Sequence, residues 1–505
     1  MSNTAAPSTV MADRANRGFV ANPGQMPQPV QPGQPADPQH GREQFKDYGE
    51  NPWTVTKEDA LSTFAIDVDT ASYTLMRNDI LQNGRLPERA SVRAEEYLNY
   101  FNYGYAGPAP GGHPFAVHVE CAESPFSPAK KLLRVGVQGY EVPDSERKPA
   151  NLIFLIDVSG SMNDINKLPL VKYALRQLVD RLDQRDTLGI VVYSGRQAVL
   201  LPPTPVNDRE AIVRILDGMQ AGGGTAGAAG IRTAYELAQQ RFQRDGINRV
   251  ILCTDGDFNI GLTGNALVTE VAAQREKGIG LSTFLFGRGN INDAMVEQLA
   301  NKGNGNHAYI DTRGEALRAM GEKVTGMLQV IAKDVKIQVE FSDLVAKYRL
   351  VGYENRGIAD QDFRNDKVDA GELGAGHSVT ALYELEMAEG WRGRGTAEAV
   401  ATVRLRYKGP NAGERAEATE LQQQLVAAEV SDVFADASPS FRFASSVAWF
   451  AQIMKRSHNV DRATLDRLIA IADATKGADA DRAEFVRIAV KASDMAELYE
   501  PIAQR

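Results

Sequence analysis

The sequence predicts a doubly wound, mainly parallel α/β domain inserted in an antiparallel β-sandwich, with helical segments at both ends of the chain. Three observations carry this expectation. Between residues 149 and 329, short apolar runs alternate with amphipathic helical patterns, as in strands covered by helices on both faces. On either side of that span, at 113–140 and 333–408, apolar residues alternate singly, as in half-buried antiparallel strands. A sandwich assembled from both flanks makes the α/β unit an insertion, whose two ends then lie close together.

The bulk properties bound the answer. A chain of 505 residues is too long for one ordinary domain. With 43% hydrophobic and 24% charged residues, most of it is expected to fold. A net charge of −9 with interspersed signs argues against nucleic acid as a partner. No apolar run is long enough to span a bilayer, so no transmembrane segment is expected. The start, MSNTAAPSTVMADR, lacks a basic stretch followed by an apolar core and is not a signal peptide. Read as complete, the chain is cytoplasmic; if a leader is missing, a lipid anchor becomes possible. The two cysteines, Cys121 and Cys253, fall in different segments, and a disulfide between them is not expected. The six histidines show no ligand spacing.

Taken in order, residues 1–52 form a Pro/Gln/Gly-rich tail expected to be disordered. Residues 53–112 hold a strand at 63–68 and two helical patterns broken at Asn83-Gly84. In IDVDTASY, Asp69 or Thr70 is expected to cap the following helix. Two strands follow within 113–148, joined by the turn-rich SPFSPA. From 149 to 329 strands and helices alternate, ending in a helix from Glu315 to Leu328 that leads directly into the next strand. Residues 330–412 supply four more strands, and those with 113–148 make the sandwich. Residues 413–505 are expected to be helical throughout.

Candidate chemistry begins where the apolar run Leu152–Ile156 ends. Asp157, Ser159 and Ser161 form a D-x-S-x-S pattern in the loop that follows. Three small oxygen-bearing side chains at alternate positions can converge on a hard cation such as Mg²⁺. A Gly-rich stretch, residues 222–227, carries Thr225 before a helical pattern. A second buried strand, residues 250–254, ends in Asp255. All three features fall on the strand edge where parallel sheets bind ligands.

Together these five positions resemble the von Willebrand factor type A domain and its metal-ion-dependent adhesion site, on a Rossmann-like fold. The resemblance implies that Ser159 and Ser161 ligate the metal directly, and that Thr225 does so directly or through water. Asp157 and Asp255 would act mainly through bound waters and as charge. The sixth position would accept a partner's carboxylate. Further similarity, in STFAIDVDTASY, TDGDFNIG and the strand-then-helix C-terminal region, is to the bacterial YfbK-like family. Members of that family carry a lipoprotein leader, which implies the cell envelope, in the periplasm or anchored at a membrane surface.

The expected function is therefore a metal-dependent protein-binding, adhesion or scaffold role. A Mg²⁺ site, or one holding Mn²⁺ or Ca²⁺, captures an Asp or Glu carboxylate from a protein partner. The alternatives are a scaffold whose metal merely staples loops, and a metal-assisted hydrolase. An enzyme is not expected, because no His or Lys accompanies the metal loops in the sequence.

Overall fold

The computed structural model describes residues 43–499, except 128, 225–226, 257–263, 290, 323, 369, 414–415 and 458–460. The chain opens with strands β1 (Thr54–Val55) and β2 (Leu61–Ala65) and helices α1 (Ala71–Asn78) and α2 (Ala94–Tyr100). Strands β3 (Phe115–Glu123) and β4 (Lys130–Gly139) follow.

The α/β unit then runs β5 (Ala150–Asp157), α3 (Leu168–Arg181), β6 (Thr187–Tyr193), β7 (Gln197–Pro205), α4 (Arg209–Gly218) and α5 (Gly227–Gln240). It continues through β8 (Ile247–Thr254), α6 (Gly264–Glu276), β9 (Gly280–Phe286), α7 (Asp293–Lys302) and β10 (His307–Ile310). It closes with α8 (Arg313–Leu317) and α9 (Val324–Leu328). Between these two lies a π-helical turn, Arg318–Glu322, so the closing helix is interrupted where the sequence pattern predicted one continuous piece.

The strand order is β10-β9-β8-β5-β6-β7, parallel except for the antiparallel edge β7. The central strand β5 is buried along its whole length, as an apolar run covered on both faces must be. On one face, Phe154 and Ile156 share a core with Val171, Ala174 and Leu178 of α3. On the other, Ile153 and Leu155 share one with Ile231 and Ala234 of α5.

The antiparallel part adds β11 (Val330–Phe341), β12 (Val345–Val351), β13 (Gly371–Gly374), β14 (Ser378–Met387), β15 (Ala399–Lys408) and β16 (Thr419–Val426). One sheet is β1-β12-β14-β4-β3; the other is β13-β11-β15-β16, with β2 also paired to β11. Their inner faces share one core, in which Val135 and Val137 of β4 join Ile337, Val339 and Val403 of the opposite sheet. The strands on either side of the α/β unit thus enter one sandwich. It is larger than the six strands expected: β1 and β2 come from the region before residue 112, the short β13 lies between β12 and β14 in the chain, and β16 lies past 412 where only helix was expected.

The C-terminal helices are α10 (Pro439–Met454), α11 (Arg462–Thr475) and α12 (Ala480–Ser493). They pack directly on α1 and α2 through Tyr73, Tyr97, Phe101, Phe443, Phe450 and Phe485. Two local expectations are corrected. Thr70 makes no side-chain cap to α1, and the Asp69 carboxylate accepts instead from the His307 N–H at 2.8 Å. The first turn of α1 is served from across the layer by Glu96, which accepts from the Ser72 N–H at 2.8 Å. Residues 43–52 are not a free tail, because Gln44 donates its N–H to the Ile291 carbonyl at 2.8 Å and Glu43 pairs with Arg288. Residues 1–42 lie outside the described part.

Among the described residues no helix is long and apolar enough to cross a membrane. Both cysteines are buried free thiols, in different cores.

Candidate metal centre

β5 lies between β6 and β8, where successive connections leave to opposite sides of the sheet. The C-terminal end of such a strand opens into a crevice, because the loops on its two sides diverge. β5 delivers Asp157 there, with no measurable exposure. Its Oδ1 accepts from the Ser159 N–H at 2.8 Å, a local turn that curls the chain back over the strand end. The Ser159 and Ser161 hydroxyls consequently meet at 3.1 Å.

The loop before α5 is stitched to this turn. Gly160 donates to the Gly223 carbonyl at 3.0 Å, and Gly222 donates to the Val158 carbonyl at 2.8 Å. Gly223 has φ +84, and a Cβ there would stand 3.1 Å from the Ser194 hydroxyl, so both backbone and space call for glycine. Thr225, two residues further on, lies outside the described residues. On the other side, β8 ends beside β5. The Thr254 hydroxyl donates to Asp157 Oδ2 at 3.3 Å, and Asp255 follows, fully buried. The structure therefore brings Asp157, Ser159, Ser161 and Asp255 to one sheet edge. Most of the TDGDFNIG loop beyond Gly256 is outside the described part.

The electrostatics fit a site built for a cation. Burial, with the Asp255 charge adding to it, pushes the Asp157 carboxyl up to about 7. Two carboxyls in one buried crevice repel each other, and a divalent ion beside them would offset that repulsion. The donor set is hydroxyl and carboxylate oxygen, which suits a hard divalent ion. The 3.1 Å between the two serine hydroxyls also fits: neighbouring ligands of an octahedral Mg²⁺ at about 2.1 Å stand about 3.0 Å apart. The mouth is open, since Gly160 and residues 163–165 are exposed, and the Ile165 side chain is 81% accessible.

One side chain at the site escaped the sequence pattern. Lys167 reaches back from the start of α3 and places its ammonium 2.9 Å from Asp255 Oδ2, with both groups buried. The expectation that no lysine accompanies these loops is thus corrected. No spacing rule connects positions 167 and 255; only the glycine at 287, over which the lysine stem lies, hints at a close approach.

Comparison with known proteins covers the same spans. The family described as von Willebrand factor type A domain matches residues 151–323. That described as "Uncharacterized protein YfbK, C-terminal" matches 326–495, and one described as von Willebrand factor matches 39–134. The "Uncharacterized protein YfbK" of Escherichia coli (strain K12) is 33% identical over 519 residues, covering 98% of this chain and 86% of that one. The magnesium-chelatase 67 kDa subunit of Chlorobaculum parvum is 37% identical over 159 residues, which is 30% of this chain and 25% of that one. Among solved structures, a von Willebrand factor type A protein from Catenulispora acidiphila aligns with a TM-score of 0.43 at 16% identity, over 74% of this chain and 89% of that one. Identity at the level of the Escherichia coli protein, sustained over nearly the whole of both chains, means that this chain belongs to the YfbK family of von Willebrand factor type A domain proteins.

Proposed function

We propose that this chain is a metal-dependent protein-binding protein, in which a Mg²⁺-loaded site takes an Asp or Glu carboxylate from a partner. A von Willebrand A-type domain implies a protein-interaction role; the metal and the carboxylate are the further step. The observation that carries it is the pair of serine hydroxyls, Ser159 and Ser161, 3.1 Å apart on a turn held by Asp157. Ser159, Ser161 and Thr225 would hold the ion, with Asp157 and Asp255 supplying charge behind it. Mn²⁺ would serve equally; Ca²⁺ fits less well, because it takes six to eight ligands at longer distances.

When bound, the ion supplies a positive, oriented acceptor for a carboxylate. The chain's own residues do the rest. The turn at Asp157 fixes the two hydroxyls, and the Gly160–Gly223 hydrogen bond brings the Gly-rich loop up to them. Neutral hydroxyls leave the ion's charge largely uncancelled, so an anionic group from outside is favoured. Ile165, exposed on the rim, offers an apolar contact beside that charged one. An exposed mouth favours partner capture over a metal that only staples loops. A setting at the cell envelope follows from the family resemblance and belongs to the same proposal.

Calorimetric titration of the metal-free chain with Mg²⁺ tests the reading. One divalent site is expected, and Asp157→Ala should abolish it with little change in far-UV circular dichroism. Proteins that co-purify in Mg²⁺ should be released by EDTA. Undiminished uptake by the Asp157→Ala variant would refute the assignment.

A further inference from the structure

The pairing of Lys167 with Asp255 puts a fixed cation inside a site read as one for a mobile cation. Its placement is specific. The Lys167 N–H donates to the Asp164 carbonyl at 3.0 Å, and its own carbonyl accepts from Val171 at 2.9 Å, so the backbone is held at the first turn of α3. A cation at a helix N-terminus faces the positive end of the helix dipole and gains nothing from it. Burying an ammonium is costly unless it is paired, and the pairing here is with Asp255. The stem is accommodated by Gly287, where a Cβ would collide with Lys167 Cγ and fall 2.5 Å from Cε. The fold thus reserves a channel for this side chain and aims it at one of the two carboxylates of the metal centre.

We propose that Lys167 is a tethered competitor of the divalent ion for the charge of Asp255. By occupying one oxygen of that carboxylate it lowers the affinity of the site for metal. It also keeps the net charge around the open position more positive, which favours an incoming carboxylate. Lys167 is then a residue that tunes the centre without ligating anything there. This inference rests on the metal reading above.

The test is calorimetric titration of the full-length chain with Mg²⁺ and, separately, Mn²⁺. Lys167→Met should bind both ions about tenfold more tightly than the natural chain, as expected when a unit positive charge leaves a buried neighbouring position. Lys167→Arg, which keeps the charge, should stay near the natural affinity. In an Asp255→Asn background the Lys167→Met change should bring clearly less tightening, because only the direct repulsion between ammonium and ion is then removed. If Lys167→Met does not fold, Lys167→Gln carries the same expectation. Affinity that is unchanged or weaker in a folded Met or Gln variant overturns the proposal and leaves the metal site standing. Absence of any uptake by the natural chain and by both variants overturns the metal reading and this inference with it.

Discussion

The Thr254 hydroxyl donates to Asp157 Oδ2 at 3.3 Å, tying the C-terminal ends of two adjacent parallel strands. The same carboxylate holds the Ser159 N–H through its other oxygen at 2.8 Å. Asp157 is therefore engaged on both oxygens by its own fold before any ligand arrives. Its geometry is fixed at the cost of burying a carboxyl.

That cost gives a pH signature. The folded-state pKa of Asp157 is raised from 3.8 to about 7, so between those values the folded chain binds a proton that the unfolded chain has released. Its contribution to stability is therefore greatest below about pH 4, declines as pH rises towards 7, and is flat above. Asp157→Asn keeps an acceptor for Ser159 and removes the titration. In EDTA at pH 8 it should be more stable than the natural chain by about 2–4 kcal/mol, with the gap closing towards pH 4. Urea unfolding at both pH values measures this; an equal gap at both would show that the effect is not the carboxyl's charge.

Gly287→Ala should disturb the candidate metal centre without touching any of its proposed ligands. Gly287 has φ +73, and the added methyl would collide with the Lys167 stem. A loss of about 1–3 kcal/mol in unfolding free energy is expected. With the lysine displaced from Asp255, Mg²⁺ affinity should shift in the same direction as in Lys167→Met. A shift the opposite way would mean that the stem's position, rather than its charge, governs the site.

Arg77 of α1 lies among acidic groups of the α/β unit and the last helix. It donates to both oxygens of Asp311, to Glu315 Oε2 at 3.0 Å and to Glu484 at 3.3 Å, and the Tyr100 hydroxyl donates to Glu315 at 2.9 Å. Arg77→Met would leave Asp311 and Glu315 buried without this partner. A loss of about 3–5 kcal/mol is expected, read as a lower urea midpoint at unchanged slope. A change below about 1 kcal/mol would show that Asp311 and Glu315 need little from Arg77, Glu315 being held by Arg318 at 3.8 Å and by the Tyr100 hydroxyl.

The two largest hydrophobic clusters of the α/β unit draw only on residues 150–328, and a smaller one joins Leu285, Ile291, Val296 and Tyr309 to Ala71 and Leu75 of α1. We therefore expect residues 145–332, expressed alone, to fold with cooperative unfolding. Absence of a cooperative transition, with the full chain well folded, would place the boundary elsewhere.

What was legible in the sequence follows from how local each signal is. The buried runs at 152–156 and 250–254 announce central strands because both faces are apolar. The D-x-S-x-S turn announces its own geometry, since Asp157 bonds to the residue two positions on. Strand β16 was missed for a physical reason. It is an edge strand, TELQQQLV, in which only Leu425 is buried, and its leucines at 421 and 425 stand four apart, a spacing that suits helix and strand alike. The role of Asp69 was missed because its partner, the His307 N–H, is 238 positions away. Lys167 escaped for the same reason, its carboxylate being 88 positions distant.

The pairing of Leu61–Ala65 with β11, and the packing of Tyr73, Tyr97 and Phe101 on Phe443 and Phe485, bear on how the chain is made. On the ribosome, the residues before 140 emerge long before their partners. At about 5–20 residues per second, the wait for α10 lasts on the order of tens of seconds. The α/β unit can close during that interval, because its two largest clusters lie within residues 150–328 and its smaller one draws on α1, which is already made. The early strands wait for β11, β12 and β14, and the aromatic helices stay uncovered until the last hundred residues arrive. Nascent chains halted before α10 should therefore hold a folded α/β unit beside an exposed apolar segment, which is a substrate for chaperones.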